Sequence, residues 1–479
     1  MTTSLFRRKS LAQLRAEGEG QTLRRALGPL DLTALGIGSI IGTGIFVLTG
    51  MVASLHTGPA LPVSMVLAAV CCGFAGLCYA ELASMIPVAG SAYTYAYATL
   101  GEMIAWIIGW DLMLEYALSA STVAVGWSGY LVSLLDSFGV VLPRALTAAP
   151  GVQVTLADGT FARGVFNLPA ALVVLAVTAL LVKGIKESAR ANAVLVVIKV
   201  AVLVVFVAAG AAYVKASNLH PFLPANAGEF GTFGLSGVLR GAGIIFFAFI
   251  GFDAVSTAAQ ETRRPQRDLT IGMLASLAIC TVLYVAVGIV LVGIVPFSQL
   301  NVAAPLAVAI DATGLTWLSP LIKVSALFGM FSTMLVQLLG QTRIFYSMSR
   351  DGFLPPVFSQ VHQRFRTPHV STLLTGLVTA LLAGLTPIDV LGQLVAMGTL
   401  LAFILVCIGI IALRRTDPDA PRPFRVPLMP WVPIAGALSC FGAMLVLPLE
   451  TWVRLVVWLV LGFVVYFGYS RRRVAGGTA

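Results

Sequence analysis

Charged side chains set in apolar surroundings are where this sequence could do chemistry. Asp111 and Glu115 stand in "WIIGWDLMLEYALSAS", four residues apart and therefore one helical turn apart on the same face. Two carboxylates that close in low dielectric resist being ionised together, which suits them to accept and pass on a proton. The plain alternative is that both accept hydrogen bonds from neighbouring hydroxyl or indole N–H groups and never titrate. Lys199, in "VLVVIKVAVL", is a lone ammonium inside an apolar run. It either has a function there or snorkels its stem toward an interface. The histidines (His56, His220, His362, His369) fall at polar breaks, which makes none a strong relay candidate. The cysteines (Cys71, Cys72, Cys78, Cys280, Cys407, Cys440) lie in apolar runs without metal-ligand spacing and read as small core residues. No HExxH, GxSxG or phosphate loop is present, so neither an enzyme nor a metal or cofactor site is expected.

These residues need elements to hold them. The chain has 479 residues, 58% hydrophobic and 10% charged, a balance produced by many membrane spans. A hydrocarbon core ~30 Å thick takes roughly 20 residues per helix, and about twelve apolar runs supply them. They cover 31–54, 60–86, 93–134, 167–184, 191–214, 236–261, 270–295, 319–341, 369–386, 389–413, 430–448 and 452–470. The third run exceeds one span, so either a long tilted helix or a short interfacial piece at 93–101 is expected. The polar, basic first 30 residues read as a tail and not as a signal peptide. Positive charge collects on alternate connections: Arg7, Arg8, Lys9, Arg15, Arg24 and Arg25; Lys183, Lys186 and Arg190; Arg263, Arg264 and Arg267; Arg343, Arg350, Arg364 and Arg366; Arg414, Arg415, Arg422 and Arg425; Arg471, Arg472 and Arg473. Both termini are thereby expected in the cytoplasm of a multi-pass plasma-membrane protein. Scattered between spans, the net charge of +10 indicates topology and not nucleic-acid binding.

Two spans are broken by glycine. "LGIGSIIGTGIFVLTG" carries five glycines in span 1, and "LRGAGIIFFAFIGFDAVST" breaks span 6. The interval between them is five spans, an odd number, so two similar halves of inverted topology are expected. At about 1.5 Å per residue, Gly42–Gly44 lies ~18 Å from the inner end of span 1, near the midplane. Irregular backbone at that depth is tolerated where it lines a cavity or is covered by protein. The freed N–H and C=O groups of Ile40, Ile41, Gly42, Thr43, Gly44 and Ile45, and of Phe246, Phe247, Ala248, Ile250 and Gly251, suit a zwitterion, its carboxylate on amides and its ammonium on carbonyls. The competing reading is that the glycines permit close helix packing, which fits Gly38 with Gly42, and Gly241.

The chain resembles the amino acid-polyamine-organocation superfamily, and within it the cationic amino acid transporter family, over nearly its whole length. The resemblance rests on "GIGSIIGTGIF", "CYAELASMIPVAGSAYTYAYATLGE", "GIKESARANA", "FFAFIGFDAVSTAAQETRRPQRDL", "GQTRIFYSMSRDGFLP" and "PRPFRVP", in that order. It implies an all-α LeuT-type fold, a five-plus-five inverted repeat with helices 1 and 6 broken and two helices added. The divisions are then a tail 1–30, repeats 31–214 and 236–413, the added pair 430–470, and a tail 471–479. It implies proton-linked amino acid uptake, with Glu115 and Asp253 closing the inner side of the site. Lys199 would take the place that sodium holds in sodium-coupled relatives, and Phe247 would cover bound substrate, although a phenylalanine in a span is ordinarily core or lipid-facing. Met330 would fill space in the pocket, which favours small neutral amino acids such as alanine. Exchange, arginine or lysine uptake, and sensing without translocation stand as alternatives. The expected partners are an amino acid, protons and the lipid bilayer, with a small single-span accessory protein as a further candidate, and a monomer is expected.

Overall fold

The computed structural model describes residues 7–10, 26–86, 88, 91–155, 161–183, 189–363, 367–471 and 473. The basic residues Arg15, Arg24, Arg25, Lys186, Arg364, Arg366 and Arg472 lie outside the described residues, as does the side chain of Arg190.

Each of the apolar runs becomes a helical span. Span 1 is Pro29–Ile40 and, beyond a break, residues 44–57. Span 2 is Leu61–Met85, span 3 Glu102–Ser137, span 4 Leu168–Lys183 and span 5 Ala189–Gly210. Span 6 starts as Gly234–Ile245 and resumes, beyond its own break, as Asp253–Glu261; span 7 is Pro265–Ile294, span 8 Leu318–Arg350, span 9 His369–Leu385, span 10 Ile388–Thr416, span 11 Trp431–Leu445 and span 12 Leu449–Val465. Among the described residues, eight helical runs are long and apolar enough to cross a membrane and four shorter apolar helices complete the set. Spans 2, 4, 9 and 12 turn outward residues such as Val63, Val66, Leu67 and Val70, or Val453, Val456, Val457 and Val460. That i, i+3, i+4, i+7 stripe of exposed apolar groups is the lipid-facing side of a bundle.

Of the two readings of the third run, the one with a separate short piece describes the fold. Ser91–Thr99 is a separate helix, and Gly101, at φ +99°, turns the chain into Glu102–Ser137. Spans 7 and 8 extend past the expected limits, to Pro265 and to Arg350, because their polar turns stand beyond the apolar core and hydropathy does not see them. A short hairpin, Gln153–Thr155 with Phe161–Arg163, and a helix, Pro305–Asp311, fill connections the sequence left unassigned.

Span 2 packs along span 7, span 3 along span 8 and span 4 along span 9, so these three each lie beside the element five spans later. Spans 1 and 6 meet at their breaks, while span 11 leans on spans 10 and 2, and span 12 on spans 10 and 3. This is the LeuT-type fold with an added helix pair.

Candidate functional site

The site is built where two helices stop. Span 1 ends its first half at Ile40, Ile41 turns to ψ 95°, and a wide-turned segment begins at Gly44. Span 6 tightens over Phe246–Phe249, goes extended at Ile250 (ψ 137°), and passes through Gly251 at φ +122°, a backbone conformation that only glycine adopts without strain. The breaks touch. A Cβ on Gly44 would collide with the backbone of Ala248, and one on Gly251 would stand 2.7 Å from Ser39 Oγ. Gly44 therefore has a packing role whatever else it does, whereas a Cβ on Gly42 would meet the Thr333 side chain at 3.2 Å. Gly241 packs closely against Thr57 and Ser64.

The carbonyls freed in span 1 are already taken. Lys199 Nζ donates to Gly38 O at 2.9 Å and to Ile41 O at 3.3 Å, and lies 3.3 Å from Thr333 Oγ1. Thr333 Oγ1 itself lies 3.2 Å from both carbonyls. Tyr284 donates to Ile40 O at 3.0 Å, and Tyr130 to Phe46 O at 2.8 Å. Lys199 is 1% exposed, its stem against Gly329, so it points into the protein and does not snorkel. The amides at the start of the outer half, around Thr43 to Ile45, precede that helix's own ladder and face the break. Thr43 Oγ1 reaches Met330 Sδ at 3.3 Å and Val123 O at 3.4 Å, which puts Met330, fully buried, on the break of span 1.

Aromatic and acidic groups gather beside the break of span 6. Phe246 packs edge-on against Phe403 of span 10 with centroids 5.6 Å apart, and Tyr79 meets Phe252, Tyr95 and Phe403 at 5.3–6.0 Å. Phe247 is buried beside them in sequence. Glu115 and Asp253 are buried within reach of each other's charge, with Asp111 nearby. Asp111 lies against the backbone of Gly398, and neither of its oxygens has a hydrogen-bond partner among the described residues; Glu115 Oε2 has none either. The indoles of Trp106 and Trp110 do not serve these carboxylates, since they donate to Gly462 O and Trp458 O of span 12.

Thr333, Tyr284 and Tyr130 are the groups that reading the sequence missed. A lone hydroxyl in an apolar helix gives little signal until its partner carbonyl is located. A second unassigned cluster lies at the end of span 2. Glu81, 0% exposed, accepts from Arg414 Nε at 3.0 Å and Nη2 at 2.6 Å and from Val426 N at 2.6 Å, with Arg422 Nε at 3.4 Å. This clamp is what "PRPFRVP" contributes, folding the connection after span 10 over span 2. Among the described residues no group of metal-ligating side chains occurs, and the cysteines are free thiols.

Residues 27–466 match the family described as amino acid permease. The chain is 49% identical to the branched-chain amino acid permease BcaP of Bacillus subtilis (strain 168) over 474 residues, 98% of this chain and 99% of that one. It is 46% identical to the methylthioribose transporter of the same organism over 470 residues, 98% of each. It is 40% identical to cationic amino acid transporter 4, vacuolar, of Arabidopsis thaliana, over 87% of this chain and 68% of that one. A broken-helix membrane bundle and this extent of similarity make the chain a transporter, and it belongs to the amino acid permease family of the amino acid-polyamine-organocation superfamily.

Proposed function

We propose that the protein takes up neutral L-amino acids through the plasma membrane, driven by protons, with both termini in the cytoplasm. The observation that carries this reading is the occupancy of the span 1 break. Lys199, Thr333 and Tyr284 engage the carbonyls of Gly38, Ile40 and Ile41, so a fixed ammonium stands where a coupling cation would otherwise be needed. The substrate carboxylate then goes to the amides of Gly42 to Ile45 and the substrate ammonium to the carbonyls that end the first half of span 6, at Phe246 to Phe249. Phe247 covers the ligand, and Glu115 with Asp253 closes the inner side. Ile40, Ile41, Ile45, Ala248, Ile250 and Met330 leave the side chain an apolar surrounding.

Met330 on the break favours small side chains such as that of alanine. A branched-chain substrate is the second reading, supported by the similarity to BcaP. Labelled alanine and leucine should each be offered to proteoliposomes under an inward proton gradient, with unlabelled alanine methyl ester as competitor. Accumulation above the outside concentration, unaffected by the ester, is expected. Binding without accumulation would make the protein a sensor, and effective competition by the ester would remove the backbone carboxylate site.

A further inference from the structure

Two of the buried thiols are already in contact across a helix seam. Cys71 Sγ of span 2 and Cys440 Sγ of span 11 lie 3.4 Å apart, although 369 positions separate them in the sequence. Cys78, two turns further along the same face of span 2, and Cys407 of span 10 are a second pair of neighbouring buried thiols. We propose that Cys71 and Cys440 form an oxidisable site whose disulfide locks span 2 to span 11. A disulfide needs its sulfurs at ~2.0 Å, and the remaining gap is within what two packed helices close by a small side-chain and backbone shift.

The oxidant must dissolve where the thiols are. Cys71 is 5% exposed, next to Val70 at the edge of the lipid-facing stripe of span 2, whereas Cys440 is 0% exposed. An organic hydroperoxide carried in the bilayer therefore meets Cys71 first. The Cys71 sulfur attacks the outer peroxide oxygen, the O–O bond breaks, and the alkoxide leaves as an alcohol with the thiol proton, giving a sulfenic acid. The Cys440 sulfur then displaces the hydroxyl, which departs as water with the second proton. Two thiols are oxidised, one hydroperoxide is reduced, and the Cys71–Cys440 bond remains.

The bond would join two parts of the bundle. Span 2 packs along span 7, which packs along the inner half of span 1, so it belongs with the broken helices. Span 11 leans on span 10, which packs on span 3. Alternating access needs one bundle to move against the rest around the fixed site, and the disulfide would oppose that motion. This arrest rests on the transport reading above, while formation of the bond does not.

The test treats the purified protein in nanodiscs and in proteoliposomes with cumene hydroperoxide. Denatured thiol labelling should fall from the six free cysteines by two, digestion and mass spectrometry should map Cys71 to Cys440, and uptake should fall several-fold and return with dithiothreitol. Cys71→Ala and Cys440→Ala, neither in the binding site, should each transport normally and resist the oxidant. Retention of all thiols, a bond at Cys78 and Cys407 instead, or a mapped Cys71–Cys440 bond with undiminished uptake would each overturn the proposal.

Discussion

Gly42 and Gly44 stand two residues apart in one motif but face different neighbours, and the difference predicts how each tolerates a side chain. A Cβ on Gly44 runs into the main chain of Ala248, which cannot yield without moving span 6. A Cβ on Gly42 meets only the Thr333 side chain at 3.2 Å. Gly44→Val should therefore abolish uptake and lower the melting temperature, while Gly42→Val should abolish or reduce uptake with less loss of stability. Equal stability loss in both, read by thermal unfolding in detergent, would contradict the crossing. Met330→Ser removes a buried thioether beside Thr43 and should cost about 2 kcal/mol of stability. It should weaken alanine uptake and admit longer side chains, including arginine; an unchanged substrate profile would mean Met330 does not limit the pocket. At this scale the sequence was informative where a charge interrupted an apolar run, as at Lys199, Glu115 and Asp111. It was silent on Thr333, Tyr284 and Tyr130, because a hydroxyl is compatible with lipid, core or site alike until the third dimension supplies a partner.

Among the elements, the connection after span 10 does more than link two helices. Glu81 is a fully buried carboxylate whose ligands come from span 10 and from the connection that follows it, so the C-terminal end of span 2 is fixed to both. Breaking one side of such a cluster leaves uncompensated buried charge. Glu81→Ala strands Arg422, 4% exposed at its side chain, and should destabilise the protein by about 2 kcal/mol, since Arg422 keeps its carbonyl acceptors. Arg414→Lys should lose part of that, because an ammonium cannot reproduce the two-pronged contact. A melting temperature unchanged in both variants would show that the clamp carries no stability. The spans themselves were legible because apolarity over some twenty residues admits one reading in a bilayer. The hairpin at Gln153–Thr155 and the helix Pro305–Asp311 were not, being too short for periodicity to separate them from loop. The wide-turned outer half of span 1 was equally hidden, since its residues suit an ordinary helix.

For the whole molecule the question is what couples substrate to its driving ion. Lys199 sits on span 5, its carbonyl partners on span 1 and its hydroxyl neighbour on span 8, so one side chain ties three helices at the break. In the proposed transport cycle the half of span 1 before the break moves to open the site, which would lengthen those contacts and let water reach the ammonium. A group whose surroundings alternate between protein carbonyls and water changes its hold on a proton between the two states, which is what coupling requires. On the proposed reading, a resident cation also takes the place of a sodium ion at that position. Uptake should thus follow an inward proton gradient, ignore an imposed sodium gradient, and fall sharply in Lys199→Ala, where the carbonyls of Gly38 and Ile41 keep Thr333 alone of these two partners. Binding should survive better than transport, because the contacts proposed for the substrate lie on the amides after Gly42 and on span 6. A ligand at a hundred times its Kd adds about 2.7 kcal/mol to the folded state, so alanine should still raise the melting temperature of the variant. Sodium-driven accumulation by the parent protein would overturn proton coupling, whereas undiminished proton-driven uptake by Lys199→Ala would move the coupled proton to Glu115 or Asp111, and Glu115→Gln would then be the variant that uncouples.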